Sequence, residues 1–121
     1  PVINKDKKLE LGNLDARRDW GFAEDYVEAI WKILQHDKPD DFVVATGETH
    51  IVRDLCGEAF KVVGLKWKDH VVVNKKWIRP TETGPLTGDY SKIKRILGWK
   101  PKTSFSQLVE MMVQADLARL R

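Results

Sequence analysis

Three stretches of the chain hold residue types that could act on a ligand. Arg17 and Arg18 stand together in a polar loop, LDARRDWG, just ahead of a helix-like pattern. A loop guanidinium makes charge-assisted, often bidentate bonds to phosphate, and the start of a helix adds a field that favours an anion. The local sequence equally allows Arg18 to be tied to Asp15 or Asp19, merely pinning the loop. The second stretch is Arg79-Pro80-Thr81-Glu82. Proline keeps the residue before it extended, so Arg79 and Glu82 project from a stiffened segment. An arginine suits a pyrophosphate, and a carboxylate suits a pair of sugar hydroxyls, which donate to it. As an exposed ion pair instead, the two would contribute under about 1 kcal/mol. The third stretch, Tyr90-Ser91-Lys92-Ile93-Lys94, fits Y-x-x-x-K, in which a lysine lowers the pKa of a catalytic tyrosine. Here the match opens a short amphipathic segment whose lysines fall on the wet face. It reads as helix surface, and no catalytic residue is assigned.

Other chemistry finds no support. The three histidines, His36, His50 and His70, are dispersed, and with Cys56 as the single cysteine no zinc set can be assembled. One cysteine also excludes an internal disulfide and fits a reducing compartment. No G-x-G-x-x-G, P-loop or G-x-S-x-G occurs, so no dinucleotide cradle, triphosphate cradle or nucleophile elbow is expected. No apolar run approaches the roughly 18–20 residues that span a bilayer. The formal net charge of +3 permits nucleic acid or an anionic small ligand but selects neither. The expectation is neither a membrane nor a nucleic-acid partner.

The elements that must position these residues follow from periodicity. Leu9–Asn13 predicts a short strand. Phe22–Gln35 predicts a helix with Tyr26, Val27, Ile30, Trp31 and Leu34 inward, ended by DKPDD. Phe42–Ala45 (FVVA) and Val71–Val73 read as short strands. A second helix is expected over Ile51–Val63, with Val52, Leu55, Cys56, Ala59, Phe60 and Val63 inward and Gly64 as its left-handed stop. Asp89 should cap a short helix running to Leu97, and Gly98 should end it. Ser104 and Gln107 fit a capping box for a last helix, with Phe105, Leu108, Met112 and Ala115 inward. The fold class is α/β: a small, helix-rich domain with a few short strands and no internal boundary. At 121 residues the core is real but modest.

Taken together, LGNLDARRDWGFAEDYVEAIW, DDFVVATGE, IRPTE and GD-x-S-K-x-K-x-x-LGWKP resemble the C-terminal portion of the GDP-mannose 4,6-dehydratases. These belong to the extended short-chain dehydrogenase/reductase group. The resemblance runs from about Leu9 to the end. RDW before a helix is shared across the group; the LGNLDA string and RPTE point to the GDP-mannose branch rather than to a related epimerase or dehydratase. Two departures are Thr83-Gly84, where the family continues with Val-Asp, and Leu86-Thr87-Gly88-Asp89, where it has LQGD.

The resemblance implies that residues 1–121 are the C-terminal nucleotide-sugar-binding portion of such an enzyme, without its Rossmann half. It implies Arg18, Arg79 and Glu82 as contacts to GDP-mannose, with Arg79 toward the diphosphate and Glu82 toward the guanosine ribose. It further implies NADP held by the absent half, product GDP-4-keto-6-deoxymannose on the route to GDP-fucose, a cytoplasmic location and a homo-oligomer when intact. The fragment alone should bind weakly and turn nothing over. A small non-enzymatic binding module, for a nucleotide sugar or, through its basic residues, nucleic acid, is the rival from another class.

Overall fold

The computed structural model describes residues 7–80, 84 and 86–120. Eight elements follow in order: β1 (Leu9–Leu11), β2 (Arg17–Arg18), α1 (Ala23–Gln35), β3 (His50–Ile51), α2 (Val52–Val62), β4 (Val71–Val73), α3 (Ser91–Leu97) and α4 (Phe105–Leu120). Single 3-10 turns stand at Trp67–Asp69 and Lys75–Trp77. The expected class holds: mostly helix, with a few short strands. β1 pairs in parallel with β4, Leu9 opposite Val71 and Leu11 opposite Val73. β2 pairs antiparallel with β3, Arg18 opposite His50.

Local chemistry explains the helix ends. The Ser91 amide donates to the Asp89 carboxylate at 2.9 Å at the start of α3, and Gly98 closes that helix at φ 70°, a left-handed conformation that costs glycine little. The box at the start of α4 is complete. The Gln107 amide donates to Ser104 Oγ at 3.2 Å, and the Ser104 amide donates to Gln107 Oε1 at 2.9 Å. At the start of α2, Asp54 accepts the Ile51 amide.

Two clusters form the core. Leu14, Cys56 and Val71 are buried together, with Leu11, Val52, Phe60 and Trp67 against them. Ala29, Ile93 and Trp99 are buried in the second, flanked by Tyr26, Ile33, Phe42, Val44, Tyr90 and Leu97. Trp99 is 1% exposed, and its indole N–H donates to the Asp25 carbonyl at 2.9 Å. The Asp25 carboxylate accepts the Lys102 and Thr103 amides. The LGWKP segment is thereby bolted to the first turn of α1.

Three expectations need correction. On α1 the buried side is Tyr26, Ala29 and Ile33, whereas Val27, Ile30, Trp31 and Leu34 are 54–75% exposed. The apolar face of the helix is one broad arc, and periodicity alone could not say which edge of it Trp99 and Ile93 would cover. On α4 the buried residues are Leu108 and Val109, with Met112 and Ala115 exposed, because α2 is the helix it packs against. Residues 42–45 are extended but join no ladder. Conversely, β2 and His50 of β3 lie where loop was expected, and Ile51 pairs as strand where the second helix was expected to start.

Candidate functional site

The two-stranded β2–β3 ladder is what holds Arg18. Register carries on past its ends: the Val52 amide donates to the Ala16 carbonyl and the Arg53 amide to the Leu14 carbonyl. Leu14 is itself buried in the first core cluster. The loop is thus fastened to the start of α2 by backbone bonds, and the arginines need not hold it. Asp15, one of the two partners considered for Arg18, is taken by Arg53 at 2.9 Å.

Asp19 has a different task. Its carboxylate accepts the Thr46 amide at 3.1 Å, the Gly47 amide at 3.1 Å and the Thr46 hydroxyl. This ties the residue next to Arg18 to the end of the extended 42–45 segment. Gly47 sits at φ 78°, where a side chain would be strained, and a Cβ there would approach the Tyr90 ring at 3.1 Å. Arg18 itself is half-buried and donates from Nη1 to the Arg17 carbonyl at 2.7 Å. Arg17 is exposed and reaches Thr49 Oγ1 at 3.4 Å.

Tyr26 lies beneath this loop. A Cβ on Gly21 would fall 2.0 Å from the Tyr26 hydroxyl oxygen, so any side chain there would have to displace the end of the Tyr26 ring. Burial, then the carboxylates of Asp19 and Asp25, push the Tyr26 phenol above its ordinary range. It stays neutral at physiological pH.

Beside the ladder is an aromatic-walled cleft of about 280 Å³, lined among others by Trp20, Glu48, His50, Tyr90, Lys102 and Phe105. His50 stacks on Phe105 at 3.9 Å between ring centroids and 9° between planes, and Trp20 also stacks on Phe105, at 5.8 Å. These contacts lock His50, the direct partner of Arg18 in the ladder. Its Nε2 is buried without a hydrogen bond and lies 3.6 Å from Glu48.

Arg79 is reached from the other ladder. The Asn74 amide donates to the Leu11 carbonyl at 2.7 Å, and Asn74 Oδ1 accepts the Lys76 amide. A Cβ on Gly12 would lie 2.6 Å from the Trp77 carbonyl oxygen. The segment that leads to Arg79 is therefore seated on Gly12, close in sequence to the Arg18 loop. Arg79 is exposed and makes no ion pair among the described residues. Glu82, the third expected contact, lies outside the described residues. Tyr90 precedes α3, with its ring edge-on to Trp99 at 6.1 Å, and Lys94 is exposed.

Asp19, Thr46, His50 and Phe105 are the residues that sequence reading missed. Asp19 adjoins the arginine pair, so its position was a signal, but nothing in spacing links it to Thr46. Among the described residues no group of three or more histidine, cysteine or carboxylate side chains could hold a metal ion. Among the described residues, too, no helix is long and apolar enough to cross a membrane. A dinucleotide needs a strand, a glycine-rich turn and a helix start in succession. The described strands reach at most three residues, and none runs into such a turn.

Comparison with known proteins gives a consistent result. The family model for GDP-mannose 4,6 dehydratase matches residues 2–112. GDP-mannose 4,6 dehydratase 1 of Arabidopsis thaliana is 59% identical over 110 residues, which is 91% of this chain and 30% of that protein. The human GDP-mannose 4,6 dehydratase is 47% identical over 130 residues, 93% of this chain and 35% of its own length. Among solved structures, RMD from Pseudomonas aeruginosa, complexed with NADPH, superposes with a TM-score of 0.82 at 21% identity, over 93% of this chain and 36% of that one. dTDP-glucose 4,6-dehydratase from Bacillus anthracis, in complex with NAD, gives 0.80 at 19%, over 94% and 36%. At those identities the superpositions speak for the fold alone. The chain spans about a third of the length of the curated relatives it matches. With a match from residue 2 to residue 112, this chain belongs to the GDP-mannose 4,6 dehydratase family.

Proposed function

We propose that this chain is the part of a GDP-mannose 4,6-dehydratase that grips the nucleotide end of GDP-mannose. The observation that carries the reading is Arg18. It sits on a two-residue strand whose neighbour Asp19 is clamped by three hydrogen bonds and whose partner His50 is locked by stacking. An arginine fixed in this way has already lost the freedom that phosphate binding would otherwise cost it. Arg79, an exposed cation without a carboxylate partner among the described residues, supplies the second diphosphate contact, and Glu82 accepts from the guanosine ribose.

The reaction is oxidation at C4 of the mannose, loss of water across C5–C6 and return of the hydride to C6. NADP is the hydride carrier of the intact enzyme. Among the described residues no strand runs into a glycine-rich turn and a helix start, the cradle that a dinucleotide needs. This chain's own residues hold the part of the substrate that does not react, which lowers the barrier elsewhere by fixing orientation. The intact enzyme is cytoplasmic and homo-oligomeric; the 121 residues alone do not turn over substrate.

The test is a titration of the ¹⁵N-labelled chain with GDP, UDP and inorganic pyrophosphate, followed by nuclear magnetic resonance. Expected is saturable binding of GDP in the millimolar range, about −4 kcal/mol, centred on Arg18 and Arg79 and weaker for UDP. Arg79→Ala should abolish it with the fold intact. Equal response to UDP, or shifts confined to other residues, would sink the reading.

A further inference from the structure

Two segments that carry arginines leave the same end of one ladder. β1 and β4 finish together, Leu11 opposite Val73; from there one segment runs from Gly12 to Arg18 and the other from Asn74 to Arg79. They are held differently. The first is fastened along its length: Leu14 is buried, its carbonyl accepts the Arg53 amide, and Asp15 pairs with Arg53. The second has a single 3-10 turn, Lys75–Trp77. Past it Trp77 is 64% and Ile78 40% exposed, and among the described residues Arg79 and Pro80 make no hydrogen bond or ion pair. Side-chain burial therefore does not fix Arg79.

What does fix it is the seat of the turn. A Cβ on Gly12 would lie 2.6 Å from the Trp77 carbonyl oxygen, 2.9 Å from the carbonyl carbon and 3.2 Å from the Trp77 Cβ. All three fall inside the roughly 3.5–4.0 Å at which non-bonded carbon atoms rest. Two of the three atoms are main chain, so no rotamer change relieves the overlap and the turn itself must move. Gly12 is not among the glycines at positive φ, so the close approach, and not its own conformation, calls for glycine. Asn74 draws the turn onto the strand. Its amide donates to the Leu11 carbonyl at 2.7 Å, its Nδ2 donates to Glu10 Oε2 at 3.2 Å, and its Oδ1 accepts the Lys76 amide at 3.0 Å.

We propose that Gly12 is a positioning residue for Arg79. The missing Cβ lets the 75–77 turn close on the end of β1, and this backbone-on-backbone seat sets where the Arg79 guanidinium stands. A side chain at position 12 lifts the turn and carries Arg79, two residues beyond Trp77, with it. Pro80 holds Arg79 extended, so the segment has little slack to absorb the shift. The Arg18 segment, fastened separately to α2, stays in place. This inference deepens the substrate reading and rests on it. A diphosphate held by two cations should feel the change, because a misplacement of about 1 Å is enough to spoil a fixed geometry; a single phosphate held by Arg18 should not.

The test titrates the ¹⁵N-labelled chain with GDP and with inorganic phosphate and follows the Arg18 and Arg79 Nε–Hε signals by nuclear magnetic resonance. In the wild-type chain GDP should move both signals. In Gly12→Ala the GDP affinity should fall at least fivefold and the Arg79 signal should stop responding, while the Arg18 response and the phosphate affinity stay at the wild-type level. Asn74→Ala loosens the same turn without adding an atom and should silence Arg79 in the same way, which keeps the test decisive if Gly12→Ala does not fold. Gly64→Ala is the control for stability. Gly64 sits at φ 71° with nothing within 4 Å of a Cβ, so the substitution strains the chain without a clash; it should lower the melting midpoint and leave both arginine responses unchanged. An Arg79 signal that still responds in Gly12→Ala or in Asn74→Ala overturns the inference and leaves the substrate reading standing. So does loss of the Arg18 response along with that of Arg79, or an equal loss in Gly64→Ala. A wild-type chain that does not bind GDP overturns the substrate reading and this inference with it.

Discussion

Removing the Asp19 carboxylate should loosen the Arg18 loop and destabilise the chain by a definite amount. Asp19→Ala deletes the acceptor of three hydrogen bonds, two from the Thr46 and Gly47 amides and one from the Thr46 hydroxyl. A hydrogen bond to a charged group contributes about 1.5–3 kcal/mol when buried. These are only partly buried, and water refills the space, so each falls at or below the lower end of that range. Together they give a loss of about 2–3 kcal/mol. For a chain of this size, at about 4 °C per kcal/mol, the midpoint should fall roughly 8–12 °C. Urea unfolding followed by far-ultraviolet circular dichroism measures the loss directly, with the slope unchanged if the native state stays compact. Asp19→Asn keeps one acceptor oxygen for Thr46 but turns an N–H₂ toward another donor, so it should fall between wild type and Asp19→Ala. GDP affinity should drop in the same order, because Arg18 loses its fixed strand. A loss below about 0.5 kcal/mol, the scale of an ordinary surface change, would refute the clamp. Full destabilisation with GDP affinity untouched would leave the clamp standing and refute its connection to Arg18.

Other outcomes follow from the same geometry. Trp99→Phe removes the bond to the Asp25 carbonyl and part of a side chain that is 1% exposed; a loss of about 3 kcal/mol is expected from one hydrogen bond plus lost burial and residual cavity, against almost none for Trp77→Phe, which is 64% exposed, both read by urea unfolding. The Lys92 ammonium, 2.9 Å from Asp40, holds the Asp40 carboxyl below its usual range. That contribution is present above about pH 4 and is lost as pH falls through the lowered value, so the melting difference between wild type and Asp40→Asn should shrink on acidification. Ser104→Ala breaks the capping box of α4 and should cost about 1 kcal/mol, with Gln107→Ala no worse, measured by thermal melting. Burial pushes the Cys56 thiol up, so iodoacetamide should label it readily only in denaturant.

By itself the sequence determined what is local. Gly98 and the Ser104–Gln107 pair mark helix ends through backbone conformation and hydrogen bonds a few residues apart, and both stand where they were read. Motif strings of fixed order, LGNLDARRDW and RPTE, were enough to point to the family, because a family's contacts constrain residue identity in place. Tertiary structure decided everything that depends on a partner far along the chain. Asp19 meets Thr46 across 27 positions and Asp25 meets Thr103 across 78, and no periodicity encodes such a meeting. The inward part of α1 was settled by Trp99 and Ile93, since its one broad apolar face is wider than the neighbours that cover it and periodicity does not say which edge they take. Likewise β2 and β3 are strands only because each has the other: two residues carry no propensity signal, and the ladder exists through hydrogen bonds between segments that the sequence sets 32 residues apart.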